Sequence, residues 1–421
     1  MRHFRRLKTP ERAEVKADAW PTCGDSSTLP VLHPLHIRSD ASFAELVNRV
    51  TEHDELCLDF EFHTEGRYFP RLCLVQLAFG TELFAVDPSK VQLAALGPVL
   101  ESASVRKIIH DGRQDLPIIA RAAGVTTIRN VFDTQIAAAF SGFGSKIGYA
   151  NLVRELFDLK LDKSLQVSDW TRELSAAQIE YALDDVRYLS RMVAMLQTRL
   201  SESGRIAWVL AACEEAAVLA LSRPDPEKLY RRVSATSQLQ PRPLGVLREL
   251  AKWRDRVAQS LDKPAPSVAG DLALKSMALC PPRDRGALES VRGLGAGRNQ
   301  PWANELLKAI LEGESRPEAN HRLELSKQQE AQVDGLVSML SLGRRFVATR
   351  DGIGAELLAD QAELRALAEW QLNQRPDGNS FDVFGGWRRD VIGDVLLRIL
   401  SGTIGFRADA SAPSGIAVIQ L

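Results

Sequence analysis

Between Leu56 and Phe62 the chain reads Leu-Cys-Leu-Asp-Phe-Glu-Phe, and between Leu72 and Phe79 it reads Leu-Cys-Leu-Val-Gln-Leu-Ala-Phe. Both runs are short and apolar, and the turn residues Gly66 and Pro70 lie between them, which predicts two strands joined by a loop. A third run, Leu83 to Val86, ends at Asp87-Pro88 and completes a three-stranded meander. Beyond it the apolar spacing lengthens to the helical period. Helices are predicted around Val91 to Glu101, Gln114 to Ala123, Asp133 to Phe140, Asn151 to Phe157 and Ala176 to Leu200, with a brief strand at Arg106 to Ile109. Strands followed by mixed helices and strand predict an α/β domain over residues 41–205.

From Ile206 onward the period-two pattern is almost gone, and apolar residues recur at helical spacing, as in Leu244, Leu247, Leu250, Ala251 and Trp253. Proline-rich breaks at Ser222 to Pro226 and Gln240 to Pro243, and a polar stretch from Glu312 to Arg322, divide this part. The expected organisation is a helical linker at 206–239 and two small all-α domains at 240–312 and 325–405. Residues 1–40 are charged, carry several prolines and show no sustained period, which predicts a mobile N-terminal extension.

Composition narrows the class. Of 421 residues, 45% are hydrophobic and 25% charged, as expected of a globular chain long enough for two or three domains. No stretch approaches the roughly 18 apolar residues of a membrane span, and the basic start, Met1 to Lys8, runs into Glu11 and Glu14 instead of a signal-peptide core. A cytoplasmic protein with no membrane partner is expected. The five cysteines, Cys23, Cys57, Cys73, Cys213 and Cys280, show no C-x-x-C spacing, which suits reduced, structural thiols. A net charge of −1 gives no global case for nucleic-acid binding. Local groups remain, such as Arg231, Arg232, Arg242 and Arg248, or Arg344, Arg345 and Arg350.

The chemistry lies in the carboxylates. Residues i and i+2 of a strand share a face, about 6.6 to 6.8 Å apart along the backbone, so Asp59 and Glu61 project together from an otherwise apolar run. An exposed edge strand would carry the same pair. In the helical segment Tyr181 and Asp185 stand one turn apart on one face. Asp184, at i+3, is near Tyr181 as well, and spacing alone leaves both acids open. An oxygen-rich cluster suits Mg²⁺ or Mn²⁺. Two such ions about 3.5 to 4 Å apart can stabilise the attacking and leaving oxygens of a phosphoryl displacement.

In order along the chain, Asp59-Phe-Glu61, Asp115 in His-Asp-Gly-Arg-Gln-Asp-Leu, and Tyr181-x-x-x-Asp185 resemble the three motifs of the DEDDy exonucleases. The flanks Tyr68-Phe-Pro-Arg-Leu-Cys-Leu-Val-Gln-Leu, Asp133-Thr-Gln and Leu161-Asp-Lys-Ser…Ser168-Asp-Trp resemble the ribonuclease D family in particular. Leu247-x-x-Leu-Ala-Lys-Trp-Arg-Asp, Lys263-Pro and Val268-x-x-Asp-x-x-Leu are similar to an HRDC domain, and Gly386-Trp-Arg-Arg-Asp-Val-Ile-Gly resembles the family's closing helical module. The resemblance runs from about residue 40 to 405.

It implies a ribonuclease-H-like α/β exonuclease domain followed by two HRDC-like domains, two divalent metal ions, and stepwise 3′–5′ removal of nucleotides from RNA with a free 3′ end. Transfer-RNA precursors are the expected substrates, and no obligate protein partner is expected. The alternatives are a DNA exonuclease of the same superfamily, working on single-stranded DNA, or a non-catalytic nucleic-acid-binding protein, which a missing acid would favour. By resemblance Asp59, Glu61 and Asp185 hold one ion, Asp59 and Asp115 reach the second, and Tyr181 orients the attacking water or, as a second role, takes its proton. The motif selects Asp185 over Asp184. His63, His110, Lys163, Gln166 and Trp170 are candidates on the substrate side. Each has a plainer role as well: a surface loop for His63 and its neighbour Arg67, a hydrogen-bonded strand end for His110, packing or solvation for Lys163 and Trp170. Gly293-Leu-Gly-Ala-Gly either offers N–H groups to phosphate or joins two helices.

Overall fold

The structure is a computed structural model and describes residues 35–162, 164–165, 168–233, 239–295, 302–317, 325–373 and 381–421. It opens with β1 (Leu35–Ile37), α1 (Asp40–Val50), β2 (Glu55–His63), β3 (Arg71–Phe79) and β4 (Glu82–Val86). Then come α2 (Gly97–Glu101), β5 (Arg106–Ile109), α3 (Asp115–Ala123), β6 (Val131–Asp133), α4 (Thr134–Phe140), α5 (Tyr149–Phe157), α6 (Ala176–Arg187), α7 (Leu189–Glu202) and α8 (Ile206–Leu221). The six strands form one sheet in the order β1-β4-β3-β2-β5-β6. β2 lies at its middle, antiparallel to β3 and parallel to β5.

Strand alternation sorts the residues of the sheet onto two faces. Leu56, Leu58 and Phe60 join Val75, Leu77, Phe79, Phe84 and Val86 in a core with residues of α1 and α3. The other face of β2 and β3 carries Cys57, Asp59, Glu61, Leu74, Gln76 and Ala78, and α6 packs over it. The helix starts at a capping box made by Ser175 and Gln178, which satisfies two of the amides left free at a helix start.

The expected helix from Ala176 to Leu200 is two helices joined at Tyr188. The hydroxyl of Tyr149 donates to the carbonyl of Asp184 at 2.6 Å and accepts from the N–H of Tyr188 at 3.3 Å. Those two backbone groups are the partners of one regular helical hydrogen bond, and a side chain inserted there is a recognised cause of a break.

Two boundaries of the α/β part shift. Residues 1–34 of the expected extension lie outside the described residues, while residues 35–40 belong to β1 and the start of α1. β1 pairs with β4 along the sheet edge, and Ser39 caps α1 by accepting from Ser42 N–H. The described residues of 206–239 pack on both neighbouring parts. α8 packs on β6, α3 and α4, with Cys213 and Ala217 buried. The 3₁₀ turn Pro226–Arg232 packs instead on the next helix and buries Leu229 and Tyr230. The segment is divided between its neighbours because each half has an apolar face to cover.

The second part contains α9 (Pro241–Leu261), α10 (Ala265–Val268), α11 (Asp271–Leu279), α12 (Arg285–Glu289) and α13 (Trp302–Ser315). Leu247, Leu250 and Trp253 of α9 pack with Leu274, Met277, Leu306 and Ile310. A Cβ on Gly313 would lie 2.4 Å from the Cα of Val246, so only glycine lets α9 and α13 approach this closely. The third part contains α14 (Lys327–Asp351), α15 (Ala355–Leu358), α16 (Gln361–Leu372), α17 (Gly386–Arg388) and α18 (Asp394–Leu400). It ends in an antiparallel hairpin of β7 (Ile404–Ala408) and β8 (Ile416–Gln420), where an all-α domain closing at 405 is expected. Among the described residues no helix is long and apolar enough to cross a membrane.

Both helical parts touch the α/β part. Tyr68 donates to Asp255 Oδ1 at 2.7 Å, Phe69 N–H donates to Asp262 Oδ1 at 3.0 Å, and Arg67 pairs with Asp262 at 2.5 Å. The loop that follows β2 is thereby tied to α9. From the third part, Trp387 packs edge-on against Phe140 of α4 with ring centroids 4.8 Å apart and stacks 6.4 Å from Trp208 of α8.

Candidate active site

Asp59 and Glu61 leave β2 on the face that α6 covers, and Asp185 descends from α6 onto the same point. One carboxylate oxygen from each of the three lies within 4.8 Å of the others. Beside Glu61 the β2–β3 register slips: Glu61 faces Leu74 while Phe62 faces Leu72, so Cys73 is an extra residue on β3. A bulge of this kind bends the strand and re-aims neighbouring side chains.

The carboxylates strain against one another. Burial, then the charges of Asp185, Asp115 and Glu61, raise the Asp59 carboxyl well above its ordinary range, opposed by a hydrogen bond from the Phe60 N–H. Burial followed by Asp185 and Asp115 pushes Glu61 up to about 8. Burial and then Asp184 bring Asp185 to about 7, and burial with Asp111 and Asp133 brings Asp115 to about 7. Asp115 stands outside the tight triplet yet is near enough for its charge to act on Asp59 and Glu61. Converging, desolvated carboxylates raise one another's pKa unless a cation or protons relieve them. An all-oxygen donor set of this sort fits a hard divalent cation.

Tyr181 lies one turn before Asp185, and its phenol is raised above the ordinary value by burial, then by Asp185 and Glu61. Trp170 stacks on it with ring centroids 6.5 Å apart and an interplanar angle of 30°. Asp184 turns away and pairs with Arg187 Nε at 2.7 Å, so the helix brings Asp185 and not Asp184 into the triplet.

The turn that leads to Asp115 is held by Asp133, which the expected site does not include. Its carboxylate is largely buried and accepts from Asp111 N–H at 3.0 Å and Gly112 N–H at 2.9 Å. It also caps α4 through Gln135 N–H and Ile136 N–H. Asp111 sits at φ 60°, a left-handed conformation that Asp tolerates better than most residues. The N-cap signal of an Asp just before a helix is legible at Asp133-Thr-Gln; its reach back to residues 111 and 112 is not. Tyr149, at the break between α6 and α7, has no local sequence signal.

The substrate-side candidates separate. His63 closes β2 beside solvent, 3.8 Å from Glu65. His110 is engaged at both ring nitrogens: Nε2 lies 3.0 Å from the carbonyl of Ile147 and Nδ1 lies 2.9 Å from Thr134 Oγ1. Burial lowers its pKa, and Nε2–H donates to the Ile147 carbonyl. Lys163 and Gln166 lie outside the described residues. The glycine segment at 293–295 serves packing: Gly293 O accepts from Gly270 N–H at 3.0 Å, and a Cβ on Gly295 would collide with Ser267 O. Several of the arginines noted as basic clusters are engaged within the chain. Arg248 is buried against Glu249, Arg242 pairs with Glu314, and Arg350 with Asp351.

A 3′–5′ exonuclease family model matches residues 35–201, and an HRDC domain model matches residues 244–310. The chain is 34% identical over 374 residues to the ribonuclease D of Gluconacetobacter diazotrophicus, covering 88% of this chain and 93% of that protein. It is 33% identical over 386 residues to the ribonuclease D of Zymomonas mobilis, covering 89% and 96%. The crystal structure of Escherichia coli RNase D, an exoribonuclease involved in structured RNA processing, superposes with a TM-score of 0.75 at 28% identity, over 88% of this chain and 99% of that one. With near full-length similarity at this level, and Asp59, Glu61 and Asp185 of the first and third motifs brought together, the chain belongs to the ribonuclease D family of 3′–5′ exoribonucleases.

Proposed function

We propose that Asp59, Glu61, Asp115, Tyr181 and Asp185 carry a divalent-metal-dependent hydrolysis of RNA from its 3′ end. The observation that carries this reading is the Asp59, Glu61 and Asp185 triplet within 4.8 Å, in a setting that holds its carboxyls high. Asp59, Glu61 and Asp185 would hold one Mg²⁺ or Mn²⁺, and Asp59 with Asp115 a second. When bound, such ions supply positive charge against the negative charge that develops on the phosphate. Water attacks the terminal phosphodiester and the bond to the 3′ oxygen of the preceding nucleotide breaks. The last nucleotide leaves with the phosphate, and the shortened RNA keeps a 3′ hydroxyl.

Tyr181 enters as a hydrogen-bonding group. Its phenol is raised above an already high value, so it stays protonated at neutral pH and orients the attacking water without taking its proton. Trp170, stacked on Tyr181, offers an aromatic face to a terminal base, and His63 lies at the end of β2, the strand that carries Asp59 and Glu61. His110 is bonded at both ring nitrogens, to Thr134 and Ile147.

A groove of about 590 Å³ lined by Asn151, Arg154, Lys160, Leu161, Asp162 and Ser164 adjoins this point; the charge of Asp162 is felt at Tyr181. Arg154 and Lys160 would meet the phosphates of the incoming strand. Transfer-RNA precursors in the cytoplasm are the substrates that the family leads us to expect, with the region 240–312 and the C-terminal part aiding the grip on longer RNA.

Labelled single-stranded RNA and DNA, with free or blocked 3′ ends, incubated with Mg²⁺, Mn²⁺ or EDTA, test the reading. Stepwise shortening of RNA from a free 3′ end, abolished by EDTA, is expected. Cleavage in EDTA or from the 5′ end would refute it, and equal or better cleavage of DNA would move the activity to the DNA alternative.

A further inference from the structure

Gln76 is fully buried, and among the described residues neither its amide nitrogen nor its amide oxygen has a hydrogen-bond partner. A primary amide can make four hydrogen bonds, and leaving a buried polar group unpaired costs about 1 to 3 kcal/mol. Such a group in the middle of a strand calls for a reason.

Its neighbours supply one. Gln76 stands opposite Asp59 in the β2–β3 register and opposite Ala85 in the β3–β4 register. Along its own strand the residues on the same face are Leu74 and Ala78. Above it, the buried residues of α6 are Ile179, Ala182, Leu183 and Val186. Directly opposite cross-strand partners have Cβ atoms about 4.5 to 5.5 Å apart, a span that a glutamine amide can bridge. Of these positions only Asp59 offers a polar side chain.

We infer that Gln76 is a positioning residue for the metal site: its amide N–H donates to the Asp59 carboxylate and holds it in the rotamer that ligates a divalent cation. This rests on the metal reading above. A carboxylate oxygen accepts such an N–H, and the register places the two side chains opposite each other. Hydrogen bonds to the ligands of a metal tune its affinity, and their loss costs about 10 to 100-fold. Glutamine is thus kept inside an apolar layer by what it does for its neighbour.

The test is Gln76→Leu and Gln76→Met in the full-length protein, with Mn²⁺ alone as the probe, titrated by calorimetry without RNA. Both variants should keep or exceed the wild-type melting temperature in EDTA, because an unpaired amide has been replaced by an apolar group. The Mn²⁺ dissociation constant should rise about tenfold or more. At saturating Mn²⁺ the kcat should fall, with little change in KM for RNA. Variants that bind Mn²⁺ within twofold of wild type would overturn the inference and leave Gln76 a core residue, as would apolar variants less stable than wild type in EDTA. A wild-type protein that binds no Mn²⁺ would overturn the metal reading itself, and the same titration shows this before any variant is compared.

Discussion

Tyr149 and Tyr188 are joined where a helix is interrupted: the Tyr149 hydroxyl accepts the Tyr188 N–H while donating to the carbonyl of Asp184, the residue before Asp185. The turn that aims a metal-site acid is therefore closed by a side chain from α5. A regular helix through residue 188 would carry α7 on along the axis of α6.

Tyr149→Phe removes only that hydroxyl. The freed Asp184 carbonyl and Tyr188 N–H can then bond to each other, so the melting temperature should move little. Activity should fall about tenfold, because a helix that straightens here shifts Asp185 and Tyr181 relative to β2, and small misplacements of catalytic groups are costly. Steady-state kinetics with short RNA and a thermal melt decide it. Wild-type kcat in a folded variant would show that the junction has no hold on the site.

The acids themselves should weaken the metal-free fold. Glu61 near 8 and Asp185 near 7 sit far above unfolded carboxyls. The folded chain thus binds more protons than the unfolded chain between about pH 4 and 8, and stability is lost as pH rises through the folded values. Compared with wild type, Asp185→Asn should be similar in melting temperature near pH 5 and a few degrees higher near pH 8, both in EDTA. Mn²⁺ should raise the wild-type melting temperature, more at pH 8 than at pH 6, because binding displaces protons. The variant should gain little. Asp185→Asn and Asp59→Ala should each lower kcat by about a hundredfold or more, the scale of losing one charge-stabilising group. A wild-type melting temperature that ignores Mn²⁺ would contradict the assignment of these ligands.

What could be read from the sequence follows how local the signal is. β2, β3, β4 and β5 show in their apolar runs, and the shared face of Asp59 and Glu61 follows from strand period alone. β1 and β6 do not show: each is three residues long and draws its identity from a neighbour across the sheet. Lys107 shows the same limit. It looks like a solvent-facing lysine in a short strand, yet it is wholly buried, donating to the carbonyls of Val99, Ser102 and Val105 at 3.2, 2.5 and 2.8 Å. Asp115 had no pattern of its own because its placement depends on Asp133, 18 positions later, through the amides of Asp111 and Gly112. α8 looks like a linker because its partner β6, whose Asp133 N–H donates to Cys213 of the helix at 3.3 Å, lies in a part of the chain that spacing cannot reach.

Trp387 gives a prediction about stability. It is 5% exposed and fills the space between Phe140 and Trp208, while Arg388 beside it pairs with Glu215 at 2.5 Å. Removing a buried tryptophan costs about 3 to 5 kcal/mol, so Trp387→Ala should lower the melting temperature or split the transition in two. Cleavage of short RNA at low temperature should persist, since the acids keep their own supports. An unchanged melting profile would mean that the C-terminal part is held in place by other contacts.

Arg154 and Lys160 test the path of the strand. Both are exposed, and neither belongs to the acid cluster. For single-stranded nucleic acid each neutralised phosphate contributes about 0.7 to the slope of log affinity against log salt. Arg154→Ala with Lys160→Ala should therefore reduce that slope by about 1.4 for an RNA long enough to fill the groove, and raise KM at moderate salt. A dinucleotide has no phosphate to place there, so its kcat should be unaffected. Binding to the long RNA would be measured in Ca²⁺ or EDTA across a salt series, so that no cleavage intrudes. A slope that does not change would take the RNA out of this groove, whereas a loss of kcat on the dinucleotide would show that the two residues act on the reacting end instead of on the strand behind it.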